Sequence, residues 1–230
     1  MRAFLAGTLL VLAFAAAGCG GGSSPSGSTN TSGNGEASKP AQQVVIDAVN
    51  AAKAASSFHM SGQIAAGLQI GVDLTIEKGK GAKGSLTVFG HKVDAVVIGN
   101  DAYLKADPAL WTQVGLAGAP RGKWLKFPTT DPRIRNFIGI ANSTSLFDQL
   151  ASTHGTITNK GATTYKGQSV VEIFDSTKNA TLYVAFTGTA YPVALVKAGA
   201  AGSTLAFDNW NMSVTVTAPS GAVDISKLGG

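Results

Sequence analysis

From Phe58 onward the spacing of apolar residues drops from about 3.6 to about 2, and it stays there for most of the chain. Leu68, Ile70, Val72, Leu74 and Ile76 alternate with Gln69, Gly71, Asp73 and Thr75. A segment with that period buries one face only as a strand. The turn KGKGAKG follows, GSLTVFG returns, and HKVDAVVIG runs out again to a turn at Gly99-Asn100-Asp101 before AYLK. Hairpin signals in series make the sheet antiparallel. Strand patterns resume in GTITNKG, TTYKGQSVVEIFDS, NATLYVAFTG, AYPVALVKAG, STLAFDNW and MSVTVTAP. The expected total is about ten strands, and a sheet that wide curls rather than staying flat.

Helical spacing is confined to three places. Residues 41–56 carry Val45, Val49 and Ala52 on one stripe, with Pro40 ahead of the first turn. Residues 106–115 open on Asp107-Pro108, a helix start. Residues 131–152 bring Ile134, Phe137, Ile138, Leu146, Phe147 and Leu150 to an apolar face. One helix, five strands, a helical insert and five more strands make an α+β chain, a curved antiparallel sheet with helices on one side.

The N-terminus has a different chemistry. Met1-Arg2, the apolar run 3–18 and the small residues Ala16-Ala17-Gly18 have the parts of a secretory signal peptide. The run is short for a membrane span, which needs ~20 apolar residues. Cys19 follows it directly and is the one cysteine of the chain. Small residues before a cysteine resemble the bacterial lipobox, with Ala16 where Leu is usual. That resemblance implies cleavage before Cys19 and diacylglycerol on its sulfur. Residues 20–38 are rich in Gly and Ser and lack apolar periodicity, so they read as a tether. The expected organisation is a signal peptide over 1–18, a lipidated cysteine and tether over 19–39, and one folded domain over 40–230.

Composition narrows the function. Charged residues make up 13% of the chain and the formal net charge is +5. The lysines and arginines are scattered rather than gathered in a stripe, which argues against nucleic acid as a partner. His59, His91 and His154 stand far apart, with no metal-ligand pairing. No GxSxG elbow occurs, and the glycine-lysine turn at 78–84 sits between strands and lacks the phosphate-loop ending. The sequence offers no catalytic residue, no metal site and no cofactor site.

Several phrases carry a family resemblance: Cys19, the helix at 41–56, SSFHMSGQI, VVIGNDAYLKADPALWTQV, GKWLKF, and YPVALVKAG followed by LAFDNWNMSVTVTAP. With these the chain resembles the mycobacterial lipid-carrier lipoproteins of the actinobacteria, which are similar in fold to the periplasmic lipoprotein carriers of Gram-negative bacteria. The resemblance implies a half-barrel, one strongly curved sheet with helices across its concave face. It also implies an apolar cavity that binds lipid or acylated glycolipid, anchorage on the outer face of the cell membrane, and an envelope transporter as partner. The residues expected to line the cavity are Val45, Val49, Ile70, Leu74, Phe89, Val97, Phe137, Ile138, Phe147 and Leu150. Two other readings stay open: these residues pack together as a dry core, or the domain is a ligand-free interaction or sensing module whose sheet edge or exposed Trp111 and Trp124 bind a protein, although both tryptophans read more readily as plain core anchors.

Overall fold

Two-residue turns set the topology. Phe89-Gly90 and Lys166-Gly167 each join adjacent strands, and all four residues have positive φ, as a type I′ hairpin turn requires. The structure, a computed structural model, describes residues 32–65, 69–152, 154–199 and 202–227. The apolar leader, Cys19, the tether as far as residue 31, and Leu68 lie outside the described residues.

The chain begins with a 3-10 turn at Glu36–Ser38 and α1 at Ala41–Ala54. Strands β1 (Ser57–Ala65), β2 (Gln69–Glu77), β3 (Gly81–Val88), β4 (His91–Ile98) and β5 (Asp101–Lys105) follow as successive hairpins. Then come α2 (Pro108–Gln113), β6 (Leu125–Pro128), a 3-10 turn at Pro132–Ile134, α3 (Arg135–Ala141) and α4 (Ser143–Ser152). The second half holds β7 (Ile157–Tyr165), β8 (Gln168–Asp175), β9 (Ala180–Ala185), β10 (Pro192–Lys197), β11 (Ser203–Asp208) and β12 (Val223–Asp224), closing on a 3-10 turn at Ile225–Lys227. The twelve described strands form one sheet in the order β12-β6-β5-β4-β3-β2-β1-β11-β10-β9-β8-β7. Every pair is antiparallel except β12 with β6. The sheet stays open, with β7 and β12 at its edges.

The period-2 pattern is realised residue by residue. Ile70, Val72, Leu74 and Ile76 of β2 are buried while Gln69 and Asp73 are exposed. One continuous core joins α1 residues Val44, Val45, Ala48 and Val49 to both halves of the sheet. The sheet is therefore curved around a helical layer, an α+β half-barrel. Glycines inside strands permit the bending. Gly62 and Gly84 have φ of 137° and 149°, and a Cβ on Gly84 would lie 2.0 Å from the carbonyl oxygen of Asp73. Only glycine allows neighbouring backbones to approach so closely there.

Strands that run up and down give the sheet two ends. At the lower end an aromatic cluster seals the interior. Phe58 meets Phe147 of α4 edge-on at 5.4 Å and stacks on Trp210 at 5.1 Å, and Trp210 stacks on Tyr191 at 4.5 Å. Ion pairs tie the helices down, including Lys53 of α1 to Asp148 of α4. On the outer face of β1, His59 bridges its neighbours, Nδ1 to Asp208 at 2.8 Å and Nε2 to Asp73 at 3.1 Å. Burial works against its charged form, but the hydrogen bonds with both carboxylates outweigh it and raise the His59 pKa above its ordinary value.

The described strands number twelve rather than about ten, and the Lys166-Gly167 turn divides TTYKGQSVVEIFDS between β7 and β8. Two further details differ from the sequence expectation. MSVTVTAP forms no strand, although its alternation is as clean as that of β2. β11 already has β1 and β10 as partners, so the departing chain meets no free edge. Asn209 and Asn211, both at positive φ, turn it away from the end of β11. It runs along the outer face, where Lys83 Nζ donates to the Thr215 carbonyl at 2.9 Å. The second difference is that residues 34–39, read as tether, are docked. Asn34 donates from its backbone to Phe186 O and from its side chain to Ala185 O, both at 2.8 Å. Asn159 of β7 donates to the carbonyls of Glu36 and Lys39 at 3.0 and 2.8 Å, and Glu36 is 3% exposed. Specific side-chain hydrogen bonds hold a segment whose composition suggests none.

Two outcomes test this fold. Replacing Gly84 by Ala should cost about 2 kcal/mol or more in chemical denaturation, while Gly118→Ala, which meets open space, should stay within about 0.5 kcal/mol. A raised His59 pKa gives stabilisation that is complete below the unfolded value of about 6.5 and is lost as pH rises through the folded value. His59→Gln should therefore lower the melting temperature at about pH 5.5 and change it little at about pH 9. An equal effect at both pH values would contradict the clamp.

Candidate binding cleft

At the upper end of the sheet, marked by Ile64 of β1 and Ile70 of β2, the aromatic side chains Phe89, Trp111 and Phe137 stand on the β2–β6 side, and the Ile64 side has an aliphatic lining. A cleft of about 380 Å³ opens there between β7–β11 below and α1 and α4 above. Helix α1 contributes Val45, and α4 contributes Leu146 and Leu150. The strands contribute Ile157, Ile173, Leu182, Leu195 and Leu205, one inward-facing position after another along the sheet. The volume lies within the roughly 300–1,000 Å³ of small-molecule sites.

Polar groups gather where the strands end. Gln149, His154, Asp175, Lys178, Lys197 and Ser203 ring the cleft. Asp175 is buried, which disfavours its charged form, but backbone N–H groups of Gly155, Thr177 and Lys178 donate to it at 2.7–3.0 Å. Those bonds hold its carboxyl below the usual carboxylate range. Its Oδ1 shapes the β8–β9 turn and its Oδ2 holds the segment ahead of β7 at Gly155, so it serves the backbone rather than a ligand. Lys178 and Lys197 are exposed, and neither has an ion-pair partner among the described residues. The arrangement offers an apolar slot under a rim with two free ammonium groups.

The ten residues singled out from the sequence fall into separate places. Val45 and Leu150 line this cleft. Ile70, Phe89 and Phe137 line a second chamber of about 290 Å³ between β2–β6 and the helices α2 and α3. Val97 borders a shallow surface depression beside the lysine-rich turn. Val49, Leu74 and Phe147 are buried in the core, and Ile138 packs against it. Of the two tryptophans, read as core anchors and in the interaction reading as exposed partner anchors, Trp111 is 4% exposed and Trp124 is half-buried. Trp111 is a core anchor of α2, packing on Phe127 at 6.3 Å, which overturns its exposed-anchor alternative.

The sequence reading named no cleft residue from β7–β11. Ile173, Leu182, Leu195 and Leu205 alternate cleanly enough to be placed on the inner face. Nothing in the alternation says which part of that face the helices leave uncovered.

Among the described residues no three His, Cys, Asp or Glu side chains are placed to hold a metal ion. Nor is any described helix long and apolar enough to cross a membrane. His91 Nδ1 sits 2.6 Å from Asp107, which caps α2 by accepting from Leu110 N at 2.9 Å.

No family model and no curated protein matches the chain. Solved structures do. LprF from Mycobacterium bovis is 18% identical, with a TM-score of 0.54 over 79% of this chain and 97% of LprF. The Mycobacterium tuberculosis lipoprotein LppX is 17% identical, with a TM-score of 0.52 over 77% of this chain and 98% of LppX. The open curved sheet, the helices over its concave face and these two likenesses agree: the chain has the fold of LprF and of the lipoprotein LppX.

Proposed function

We propose that the protein is a membrane-anchored lipoprotein that holds a lipid or acylated glycolipid in the upper cleft and carries it across the cell envelope. The observation behind this reading is the apolar cleft of about 380 Å³ that the chain's own side chains leave unfilled. The fold shared with the lipoprotein LppX supports it, and so does the lipobox pattern ending at Cys19. In this reading Cys19 carries the acyl anchor, residues 20–33 span the distance to the domain, and an envelope transporter supplies or receives the cargo.

Magnitudes favour a long acyl chain. Each buried methylene contributes roughly 0.8 kcal/mol. Ten of them give about 8 kcal/mol, which association costs of about 4 kcal/mol or more would cut to weak binding. A chain well beyond ten carbons retains useful affinity and needs no ionic contact. Lys178 and Lys197 at the rim then suit the hydroxyl or phosphate oxygens of a head group. Carriage of this kind requires no nucleophile or metal.

Lipid extracted from the full chain purified out of native envelope tests the reading. Mass spectrometry should find an acyl lipid in near-stoichiometric amount. Leu195→Trp, which places an indole in the cleft, should reduce recovery at least about tenfold with the circular dichroism spectrum unchanged. Lipid-free protein in repeated preparations, or equal recovery from the variant, would contradict it.

A further inference from the structure

The upper end of the sheet carries apolar side chains on its outside as well as in its walls. The β3–β4 hairpin turns there at Phe89-Gly90, because Ile70 pairs with Val88 and Val88 with His91. Phe89 is 51% exposed and has φ 52°. Turns of this kind favour Asn or Gly, and a bulky side chain seldom takes a positive φ. Packing alone does not explain a phenylalanine there, since half of the residue faces water. Val114, at the end of α2, is 40% exposed. Both residues stand at the rim of the second chamber.

Charge at this end is one-sided. Leu104 pairs with Leu125, so the loop leading into β6 lies at the upper end, and it holds the exposed Arg121 and Lys123. Lys197 pairs with Ser203 and Ala180, which places it and the adjoining Lys178 turn at the same end. None of these four cations has an ion-pair partner among the described residues. The acids nearby are committed. Asp107 takes His91 and the backbone of Leu110, Asp94 takes Lys92, and Asp175 takes three backbone N–H groups. At the lower end, by contrast, Lys53 is paired with Asp148 and Lys80 with Glu77.

We propose that the upper end docks on an anionic lipid bilayer, with Phe89 and Val114 entering the head-group layer and Arg121 and Lys123 facing its phosphates. Lys178 and Lys197 add to the attraction from the other half of the sheet. Apolar tips beside basic residues gain both from burial at the head-group boundary and from the negative surface potential. A protein partner would need a broad patch, roughly 800 Å² on each side, and two separate tips do not supply one. Head groups move apart around a single ring, so a bilayer accepts such tips without a matching surface. The anchored reading leaves room for this contact. Asn34 is held at the lower end, beside Ala185 and Gly188, and residues 20–33 reach about 45 Å when extended. A nine-residue strand such as β1 spans only about 30 Å. The proposal goes beyond the carrier reading and does not depend on what either cavity holds.

The test puts p-benzoylphenylalanine in place of Phe89 in the full chain. A second protein carries it in place of Met212, which is 59% exposed and bonded to Ser57 at the lower end. Each is irradiated on phosphatidylcholine vesicles, on vesicles containing about a quarter phosphatidylglycerol, and on native envelope membranes, and the adducts are identified by mass. Position 89 should give phospholipid adducts, at least about fivefold more with phosphatidylglycerol than without, and position 212 should give few. Arg121→Gln combined with Lys123→Gln, or salt at about 0.5 M, should lower the yield at position 89 by a similar factor. Adducts that ignore both salt and the double replacement would place the lipid inside the chamber rather than in a bilayer, and would overturn the proposal. So would equal yields at positions 89 and 212. Envelope adducts at position 89 to a protein, a second copy of this chain included, in place of phospholipid would overturn it too.

Discussion

The inner face of this sheet is too broad for the helices that cover it. A strand buries its apolar side chains only if something packs against them, and twelve strands present far more surface than one long helix and three short ones can meet. Curling brings the two halves of the sheet toward each other and relieves part of the mismatch. The lower end finishes the task with aromatic rings, Phe58, Phe147, Phe207 and Trp210 in mutual contact. At the upper end the apolar walls of the cleft are aliphatic, those of the chamber mix aliphatic side chains with Phe89, Trp111, Phe127 and Phe137, and neither pair of walls meets. The cleft and the chamber are what remains of the surplus, divided by Ile64 and Ile70.

That division bears on function. Well-packed interiors have few voids larger than water, so an open apolar cleft of this size leaves its walls against solvent unless an apolar guest fills it. A guest that supplies the missing contacts gains the burial that the sheet could not obtain from its own helices. The rims differ in kind. Two lysines without an ion-pair partner among the described residues stand at the cleft, whereas the arginine at the chamber is paired with Asp131. One fold thus offers two apolar spaces whose rims differ in charge.

Much of this architecture was legible in the residues. The alternation of β2 and the turn after β4 at Gly99-Asn100 are local properties, written in a few adjacent positions, whereas the Lys166-Gly167 turn is hidden inside TTYKGQSVVEIFDS, which reads as one strand. The helix at 41–56 and the start of α2 at Asp107-Pro108 are local too. What failed to show was anything dependent on partners. Val214 and Val216 alternate with Ser213, Thr215 and Thr217, yet make no strand, because no strand edge is free beside them. The docking of residues 34–39 depends on Asn159, more than a hundred positions away. The cavity walls show the same limit. Phe147 and Leu150 lie one helical turn apart on the same apolar face, yet Phe147 closes the core and Leu150 borders the cleft. Periodicity reports which way a side chain faces. It carries no information on whether the space opposite is filled.

The central claim is physical: the upper cleft is open and hydrocarbon belongs in it. Crystals of the full chain grown with a long acyl chain brominated near its end test this directly. Bromine anomalous density between Ile173, Leu195 and Leu205 is the expected result. Those three side chains closed against one another, with no bromine signal beside them, would contradict it.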